Sequence, residues 1–417
     1  MVNGCYRRDA CRLCGSNRLK SILTLTPTPP ANAFVDSSQL NLPQLVFPLD
    51  LFFCDDCTHA QLLDVVDPQV LFSDYVYVSG TSQVFVSHFK EYATTISDKY
   101  ASKTKKQLVI DIGSNDGTLL EQFKNIGFNV LGIDPARKIA QQASANGIKT
   151  VPAFFSKNLA EKIKTEYGQA HLVTANNVYA HADDLIDITR GIRTLLKPNG
   201  VFVFEVSYLV DVFEKTLFDT IYHEHLAYHC VRPLVKFFAA QDMQLVAAKR
   251  TEAHGGSLRG IVQLAGGIHK ADSSVDSLIA LEKSLGLDKV ETLQAFGSKI
   301  ENVKYELTNY LHSLKAQGKS VAGFGAPAKA TTLMYHFSIG PDIVEFIVDD
   351  NPLKQGLFSP GMHIPILPTA AIYEKKPDAI IILAWNFAEP IIKNHAKFLN
   401  MGGEFIVPLP TVKIFKE

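Results

Sequence analysis

The segment Val109-Ile-Asp-Ile-Gly-Ser-Asn-Asp-Gly-Thr-Leu-Leu120 decides the fold of this 417-residue chain. An apolar strand is followed by a turn with glycines at 113 and 117, and a helical pattern then begins. The same alternation continues downstream, with further strands predicted over 127–133, 149–153, 171–175 and 200–206 and helices over 119–126 and 136–145. It predicts an α/β fold whose central unit, residues 86–235, is a doubly wound, Rossmann-like parallel sheet.

The glycine turn indicates which cofactor this sheet binds. Its spacing, Gly113-x-x-x-Gly117, is not the Gly-x-Gly-x-x-Gly that lets a backbone close on a pyrophosphate. Asp111 and Asp116 would repel phosphate but suit a cationic ligand, and Asp134 at the end of the second strand could bind both hydroxyls of a ribose. These features favour S-adenosylmethionine. A strand–turn–helix unit without a ligand is the alternative.

Two cysteine pairs, Cys11-Arg-Leu-Cys14 and Cys54-Asp-Asp-Cys57, lie in the first part of the chain, residues 1–85. Two such Cys-x-x-Cys pairs provide the four thiolates of a tetrahedral zinc site. With four cysteine ligands the metal has no open position for catalysis. We therefore expect a zinc-binding module with a structural Zn²⁺. Two unrelated pairs of buried thiols are the alternative, and Cys5 is not needed for either.

A second glycine turn, Gly323-Phe-Gly-Ala-Pro-Ala328, marks the third part, residues 236–417, as another Rossmann-like unit. It matches Gly-x-Gly-x-x-[Gly/Ala], and Asp349 follows at the spacing of a ribose-binding residue, which taken alone would support NAD. Pro327 removes one backbone N–H from the turn, whereas Lys329 could contact the phosphates of a nucleotide sugar. An empty, purely structural unit is the alternative.

Residues 221–229, Ile-Tyr-His-Glu-His-Leu-Ala-Tyr-His, concentrate groups that exchange protons near neutral pH. They follow the fifth strand, and His181 follows the fourth, so both should face the ligand crevice at the carboxyl ends of the strands. Methylation of carbon requires a base and a hydrogen-bond donor for an enolate oxygen, which His225 and Tyr222 could supply, with Glu224 fixing the histidine tautomer. Alternatively, His225 and His229 share a helix face as metal ligands, or the cluster is solvated or core.

The bulk properties exclude several classes of function. A formal net charge of −1 without a basic stripe argues against nucleic acid and against a membrane surface as partner. The apolar runs are only as long as strands, and the first residues lack the apolar region of a secretory signal. We therefore expect a cytoplasmic monomer.

The chain resembles the S-adenosylmethionine-dependent sugar C-methyltransferases that act on nucleotide-linked 4-keto-6-deoxy sugars, the family of the tetronitrose C-3′-methyltransferase. The resemblance runs nearly end to end. Beside the two cysteine pairs it rests on segments 75–82 (Tyr-Val-Tyr-Val-Ser-Gly-Thr-Ser), 111–117, 134–135, 176–181, 222–225, 254–259 and 323–329.

The resemblance implies roles for residues in these segments. His225 is expected to remove the C-3′ proton, with Tyr222 and His181 close to the sugar and Glu224 supporting. The cofactor-binding residues are then Tyr75, Tyr77, Ser79, Asp111, Gly113, Asn115, Gly117, Asp134, Pro135, Asn176 and Asn177. The candidate ligands of the nucleotide sugar are His254, Ser257, Arg259 and Lys329.

The sequence thus predicts methyl transfer to C-3′ of a dTDP- or GDP-linked 4-keto-6-deoxy sugar, through an enolate, in the biosynthesis of unusual deoxysugars. Three alternatives stay open: an NAD-dependent nucleotide-sugar oxidoreductase using Gly323–Ala328, an O- or N-methyltransferase on a related sugar, and a non-catalytic zinc- and nucleotide-binding module.

Overall fold

The computed structural model describes residues 4–72, 80, 83–101 and 107–417. Tyr75, Tyr77 and Ser79, which the sequence assigns to the cofactor, lie outside the described residues. Among the helices described, none has both the length and the apolar character needed to cross a bilayer.

The first part of the chain is a small antiparallel module. Strands β1 (Cys5–Arg7) and β5 (Asp64–Val66) pair with each other, and β2 (Leu19–Thr28), β3 (Phe47–Cys54) and β4 (Ala60–Leu62) form a meander. Burial alternates along β3, as expected for a strand with one face on a core. Beyond β4 the meander gains a two-residue strand from residues 227–228, and helix α1 (Pro68–Phe72) leads out of the module.

The central unit is built on a sheet of seven strands in the described part of the chain. In chain order its elements, with the strand that joins the N-terminal module, are α2 (Gln83–Tyr100), β6 (Leu108–Ile112), α3 (Thr118–Asn125), β7 (Asn129–Ile133), α4 (Arg137–Ala145), β8 (Thr150–Val151), α5 (Lys157–Tyr167), β9 (Ala170–Asn176), α6 (Leu185–Leu195), β10 (Leu196–Ser207), α7 (Leu209–Glu214), β11 (Ala227–Tyr228), α8 (Val231–Ala239), β12 (Met243–Thr251) and β13 (Ser257–Leu264). The strand order is β12-β13-β10-β9-β6-β7-β8. Strands β6 to β10 are parallel, and β13 runs antiparallel to both of its neighbours.

This sheet corrects the predicted domain boundary. The central unit was expected to end at residue 235, but β12 and β13 both follow that residue and complete the sheet. Residues 201–206 of β10 are buried on both faces, which explains their continuous apolar run.

The third part begins with helices and ends in a second sheet. Its elements are α9 (Ser273–Ser284), α10 (Val290–Gln294), α11 (Phe296–Ala316), β14 (Val321–Phe324), α12 (Ala328–Phe337), β15 (Ile347–Val348), β16 (Ile366–Leu367), α13 (Ala371–Lys375), β17 (Ala379–Ile382), α14 (Ala388–Asn394), α15 (Ala396–Leu399), β18 (Glu404–Val407) and β19 (Lys413–Phe415). Over the described residues the strand order is β16-β15-β14-β17-β18-β19, with β19 antiparallel at the edge. The predicted second Rossmann-like unit is therefore present.

A cavity of about 720 Å³ lies where the three parts meet. Its floor is the carboxyl ends of β6, β7, β9 and β10, where an open parallel sheet binds its ligands. The N-terminal module contributes Asn32 and residues 67–72 to its wall, and the N-terminus of α12 closes the opposite side.

Candidate active site

The four paired cysteines converge on one point. The sulfur atoms of Cys11 and Cys57 are 3.5 Å apart, those of Cys14 and Cys54 are 3.6 Å apart, and all four lie within 4.8 Å of one another. A zinc tetrahedron with Zn–S bonds of about 2.3 Å has S···S edges of about 3.8 Å. The residues present therefore fit a structural Zn²⁺ with four thiolate ligands.

The cofactor loop follows β6. Asp134, at the end of β7, accepts hydrogen bonds from the backbone N–H of Asn115 at 2.8 Å and from that of Ala136 at 2.8 Å. These bonds fix its carboxylate at the cavity wall. Gly113 has φ +70°, and a Cβ there would lie 2.2 Å from Val178, so the loop can pass this point only as glycine.

Asp111 lies beneath this loop and is 4% exposed. Its carboxylate accepts a hydrogen bond from the Thr174 hydroxyl at 2.6 Å. Burial raises the pKa of Asp111 to about 7, against the lowering effect of the Thr174 hydroxyl. The carboxyl group borders the cavity without a cationic partner in the described part of the chain, so a bound ammonium group would stabilise its ionised form.

Most of the predicted cofactor residues that are described line the cavity: Asp111, Gly113, Asn115, Asp134, Pro135, Asn176 and Asn177. Gly117 does not, because it begins α3 with φ +83° and faces Ile148. Phe154 adds an apolar ring beyond Pro135, as the adenine of a nucleoside would require.

The proton-transfer residues form a second group in the same cavity. The ring of His225 lies with its centroid 4.0 Å from that of Tyr222 and 5.0 Å from that of His181. The Nδ1 of His225 is 2.8 Å from the backbone oxygen of Thr220, which can only accept, so Nδ1 carries the proton. In a neutral His225, Nε2 is then unprotonated, as the role of a general base would require.

The structure separates Glu224 from this role. Its carboxylate is 2% exposed, accepts a hydrogen bond from Asn32 of the N-terminal module at 2.8 Å and is absent from the cavity lining of the described residues. The Thr220 carbonyl fixes the tautomer of His225 by accepting the hydrogen bond from Nδ1. This acceptor is a backbone group, so the pattern of side chains in the sequence could not predict it.

The other polar residues of 221–229 are scaffold. His223 donates from Nε2 to the Phe47 oxygen at 3.3 Å, and His229 stacks on His59 with ring centroids 5.3 Å apart. Burial lowers the pKa of His223 to about 4 and that of His229 to about 3, so both are neutral. His225 and His229 do not share a helix, because residues 227–228 form β11, and the predicted alternative of a metal site between them is wrong.

Lys329 lines the cavity at the N-terminus of α12, in the first turn of that helix. Its ammonium group donates to Asn386 Oδ1 at 2.7 Å and lies 3.4 Å from the centroid of the Trp385 ring. Burial lowers the pKa of Lys329 to about 8, although the carboxylate of Asp219 opposes this. Lys354, which the sequence did not single out, also lines the cavity.

Two further predicted substrate ligands, Ser257 and Arg259, are not among the described residues that line the cavity. Ser257 is fully buried and donates to the Ala253 oxygen at 3.0 Å. Arg259 is buried on β13, where it bonds Glu205 of the neighbouring strand β10 at 2.8 Å. The backbone of His254 lies in a 3-10 turn, and its side chain is outside the described atoms. Ser257 and Arg259 instead bond groups of the protein, Ser257 a carbonyl of the 253–255 turn and Arg259 the carboxylate of Glu205.

The second glycine turn has an acidic residue held in the same way as Asp134. Asp349 accepts hydrogen bonds from the N–H groups of Ala326 at 2.7 Å and Asn351 at 2.8 Å, and the Lys354 ammonium donates to the Ala326 oxygen at 2.8 Å. On the side of Phe34 and Met362 the space beside this turn is about 10 Å³, room for about one water molecule, whereas Pro327, Ala328 and Lys329 border the large cavity.

Four converging cysteines that fit zinc, and a doubly wound sheet whose glycine turn borders a cavity at the strand ends, are the features of an S-adenosylmethionine-dependent methyltransferase with a zinc-binding module. Family models agree: residues 11–72 match a zinc binding domain, 86–250 a methyltransferase domain, and 252–410 a C-methyltransferase C-terminal domain. The chain is 34% identical over 406 residues to C-methyltransferase NovU of Streptomyces niveus, covering 97% of this chain and 96% of that protein. The chain belongs to this family of C-methyltransferases.

Two more distant similarities concern parts of the chain. Ubiquinone biosynthesis O-methyltransferase of Proteus mirabilis is 29% identical over 98 residues, which are 23% of this chain and 40% of that enzyme. The crystal structure of the PH0226 protein from Pyrococcus horikoshii matches with a TM-score of 0.36 and 14% identity, over 45% of this chain and 94% of that one.

Proposed function

We propose that this C-methyltransferase methylates C-3′ of a nucleotide-linked 4-keto-6-deoxy sugar through an enolate. The observation that supports it best is His225, held by the Thr220 carbonyl with Nε2 as a base, beside Tyr222 and His181 in the cavity that contains the cofactor loop.

The chemistry explains why this pair suits carbon rather than oxygen or nitrogen. A carbon beside a ketone becomes a nucleophile only when its proton leaves and the charge moves to the ketone oxygen. In the proposal Nε2 of His225 accepts the C-3′ proton, and the Tyr222 hydroxyl donates a hydrogen bond to the enolate oxygen at C-4′. His181 packs against both His225 and Phe72 and limits the space for water.

S-adenosylmethionine, when bound, supplies an electrophilic methyl group on a sulfonium. Asp134 would hold its ribose hydroxyls, and Asp111 its ammonium group. Both carboxylates are nearly buried, so an opposite charge or a hydroxyl donor is worth more to them than at a surface.

The part of the cavity at the N-terminus of α12 suits a diphosphate. Lys329 and Lys354 place two ammonium groups beside the N-terminus of α12, which carries the positive end of the helix dipole. The Lys329 group is held by Asn386 and the Trp385 ring, so it is already oriented before a substrate arrives. A nucleotide sugar lying between this part of the cavity and His225 would present its sugar to the base.

The test combines product analysis with proton exchange. The protein is incubated with S-adenosylmethionine and dTDP- or GDP-linked 4-keto-6-deoxyhexoses, and methylated products are located by mass spectrometry and NMR. Without the methyl donor, in deuterated water, the protein should exchange the C-3′ proton. A product methylated on oxygen or nitrogen, or methyl transfer without C-3′ exchange, would contradict the proposal.

The assignment of the base has a matched control. His225→Gln should lower exchange and methyl transfer by at least ~10²-fold, as expected for loss of a general base. His312→Gln, at an exposed position of α11, should leave both rates unchanged. If His225→Gln keeps most of its turnover, the base lies elsewhere.

A further inference from the structure

His181 and His225 come from separate segments and must be held against each other. His181 follows β9, whereas His225 lies between β10 and β11. One direct backbone bond joins the two segments, from the N–H of Ala227 to the Ala180 oxygen at 3.1 Å. Each of the two segments is also bonded to the zinc module.

The segment of His225 is attached to the zinc module as an added strand. Ala227 pairs with Gln61 and Tyr228 with Ala60 in the β11–β4 ladder, and the N–H of Leu62 donates to the Leu226 oxygen at 3.0 Å. The position of β4 therefore sets the position of β11, which begins two residues after His225.

The segment of His181 is attached to the same module through Asp183, two residues further on. The Nη1 atom of Arg8 lies 3.0 Å from Asp183 Oδ1, and the Tyr6 hydroxyl donates to Oδ2. Asp183 borders the cavity, so its carboxylate is fixed at the cavity wall by groups of the N-terminal module.

Arg12, inside the Cys11–Cys14 knuckle, contacts both attachments. Its Nη1 donates to Gln61 Oε1 at 3.2 Å and to the Leu62 oxygen, and its backbone N–H donates to the same Gln61 oxygen at 3.0 Å. Its Nε lies 3.2 Å from Asp183 Oδ1, and its side chain has no exposed surface. The contact of Nε with Asp183 is an ion pair without a hydrogen bond, and Nη2 also has no hydrogen-bond partner among the described residues, so the buried charge depends on Asp183 and on the two acceptors of Nη1. These partners belong to β4 and to the segment of His181.

We propose that Arg12 is a positioning residue for methyl transfer, which holds β4 and Asp183 in register and so sets the separation of His225 and His181. The inference rests on the proposed role of these two histidines. It gives the zinc module a function beyond its own stability: the zinc knuckle fixes the backbone of Arg12, and Arg12 fixes two sides of the active site.

Three variants test the coupling and a fourth is the matched control. Arg12→Gln, Asp183→Asn and the double variant each interrupt the link. Asp56→Asn also removes an ion pair of the zinc module, Arg18–Asp56. Asp56 lies between Cys54 and Cys57, but the side chains of this pair are exposed. For each protein we would measure kcat, KM, zinc per chain and the NMR signals of ¹³C-labelled histidine rings, assigned with His181→Gln and His225→Gln.

We expect Arg12→Gln and Asp183→Asn to lower kcat by ~10- to 100-fold, since misplacement by about 1 Å has a cost of that order. The double variant should lose no more than the worse single one, zinc should stay near one per chain, and the ring signals of both histidines should shift. Asp56→Asn should match the wild-type protein. A change confined to KM would instead indicate direct substrate contact by Asp183.

Several outcomes would overturn the inference. Ring signals that stay unchanged in Arg12→Gln and Asp183→Asn, effects that multiply in the double variant, or a kcat loss that tracks zinc loss would each do so. If Arg12→Gln does not fold, Asp183→Asn decides alone. If the wild-type protein methylates no keto-sugar nucleotide, the proposed function fails, whereas the ring signals still test the coupling.

Discussion

Asp111→Asn should be more stable than the wild-type protein by an amount that grows as pH rises, and it should bind the cofactor less tightly. Burial raises the pKa of Asp111 from 3.8 to about 7, so the folded state resists ionisation that the unfolded chain undergoes freely. The stability associated with the neutral carboxyl group is fully present below pH 3.8 and is lost as pH rises to about 7. Linkage gives a slope of about 1.4 kcal/mol per pH unit in this window.

The difference in unfolding free energy between Asp111→Asn and the wild-type protein should therefore grow by about 2 kcal/mol from pH 5.5 to pH 7 and level off above pH 7. Urea unfolding of both proteins without ligands measures it. Asp36→Asn is the control: the Ser38 hydroxyl lowers the pKa of exposed Asp36, so this carboxyl group is ionised in both the folded and the unfolded state from pH 5.5 to 7 and its stability difference should stay constant there.

Calorimetry supplies the second half of the test. If Asp111 holds the ammonium group of S-adenosylmethionine, the wild-type protein should bind it more tightly as pH rises to about 7, and Asp111→Asn should lose this dependence. A stability difference that is constant from pH 5.5 to 7 would refute the reasoning, since it would mean that burial does not suppress ionisation of this carboxyl group.

Three further predictions concern the other ligands. Asp134→Ala should weaken S-adenosylmethionine binding by ~10- to 100-fold in calorimetry, whereas Asp349→Ala should not, although both carboxylates accept two backbone hydrogen bonds. For the nucleotide sugar, kcat/KM should fall as pH rises through about 8, the pKa of Lys329, and Lys329→Met should be ~10- to 100-fold weaker without that dependence. Cys54→Ser should bind well under one zinc per chain by metal analysis and lose several kcal/mol of stability, whereas Cys5→Ser, outside the cluster, should keep its zinc.

The sequence was informative where local chemistry dictates structure. The period of apolar residues located the parallel strands within a few residues, as the predicted 127–133 and the observed β7 (Asn129–Ile133) illustrate. The cysteine pairs located the zinc site, because two ligands at fixed spacing restrict the geometry strongly. Asp134 lies at the cavity as predicted, because the end of the second strand is a fixed place in a doubly wound sheet.

Contacts between distant segments were harder to predict. Arg259 was expected at the substrate, but its partner Glu205 lies on the adjacent strand β10, a pairing that no local pattern records. Thr220 acts through its backbone oxygen, which every residue has. Asn32 and Lys354 lie in irregular segments, where spacing carries little information about direction.

The histidine-rich stretch shows why such contacts determine function here. Its residues contact two different parts of the chain. Glu224 and His223 bond Asn32 and Phe47 of the zinc module. On the other side, Thr332 of α12 donates to the Ile221 oxygen at 2.8 Å. The segment that carries the proposed base is thus held between the zinc module and the helix that begins at the proposed diphosphate site. A base that must take a proton from carbon works only within a narrow range of positions, so all three parts of the chain have to assemble before His225 can act. If His225 is the base, that requirement accounts for the two further units that are joined to the methyltransferase sheet in this chain.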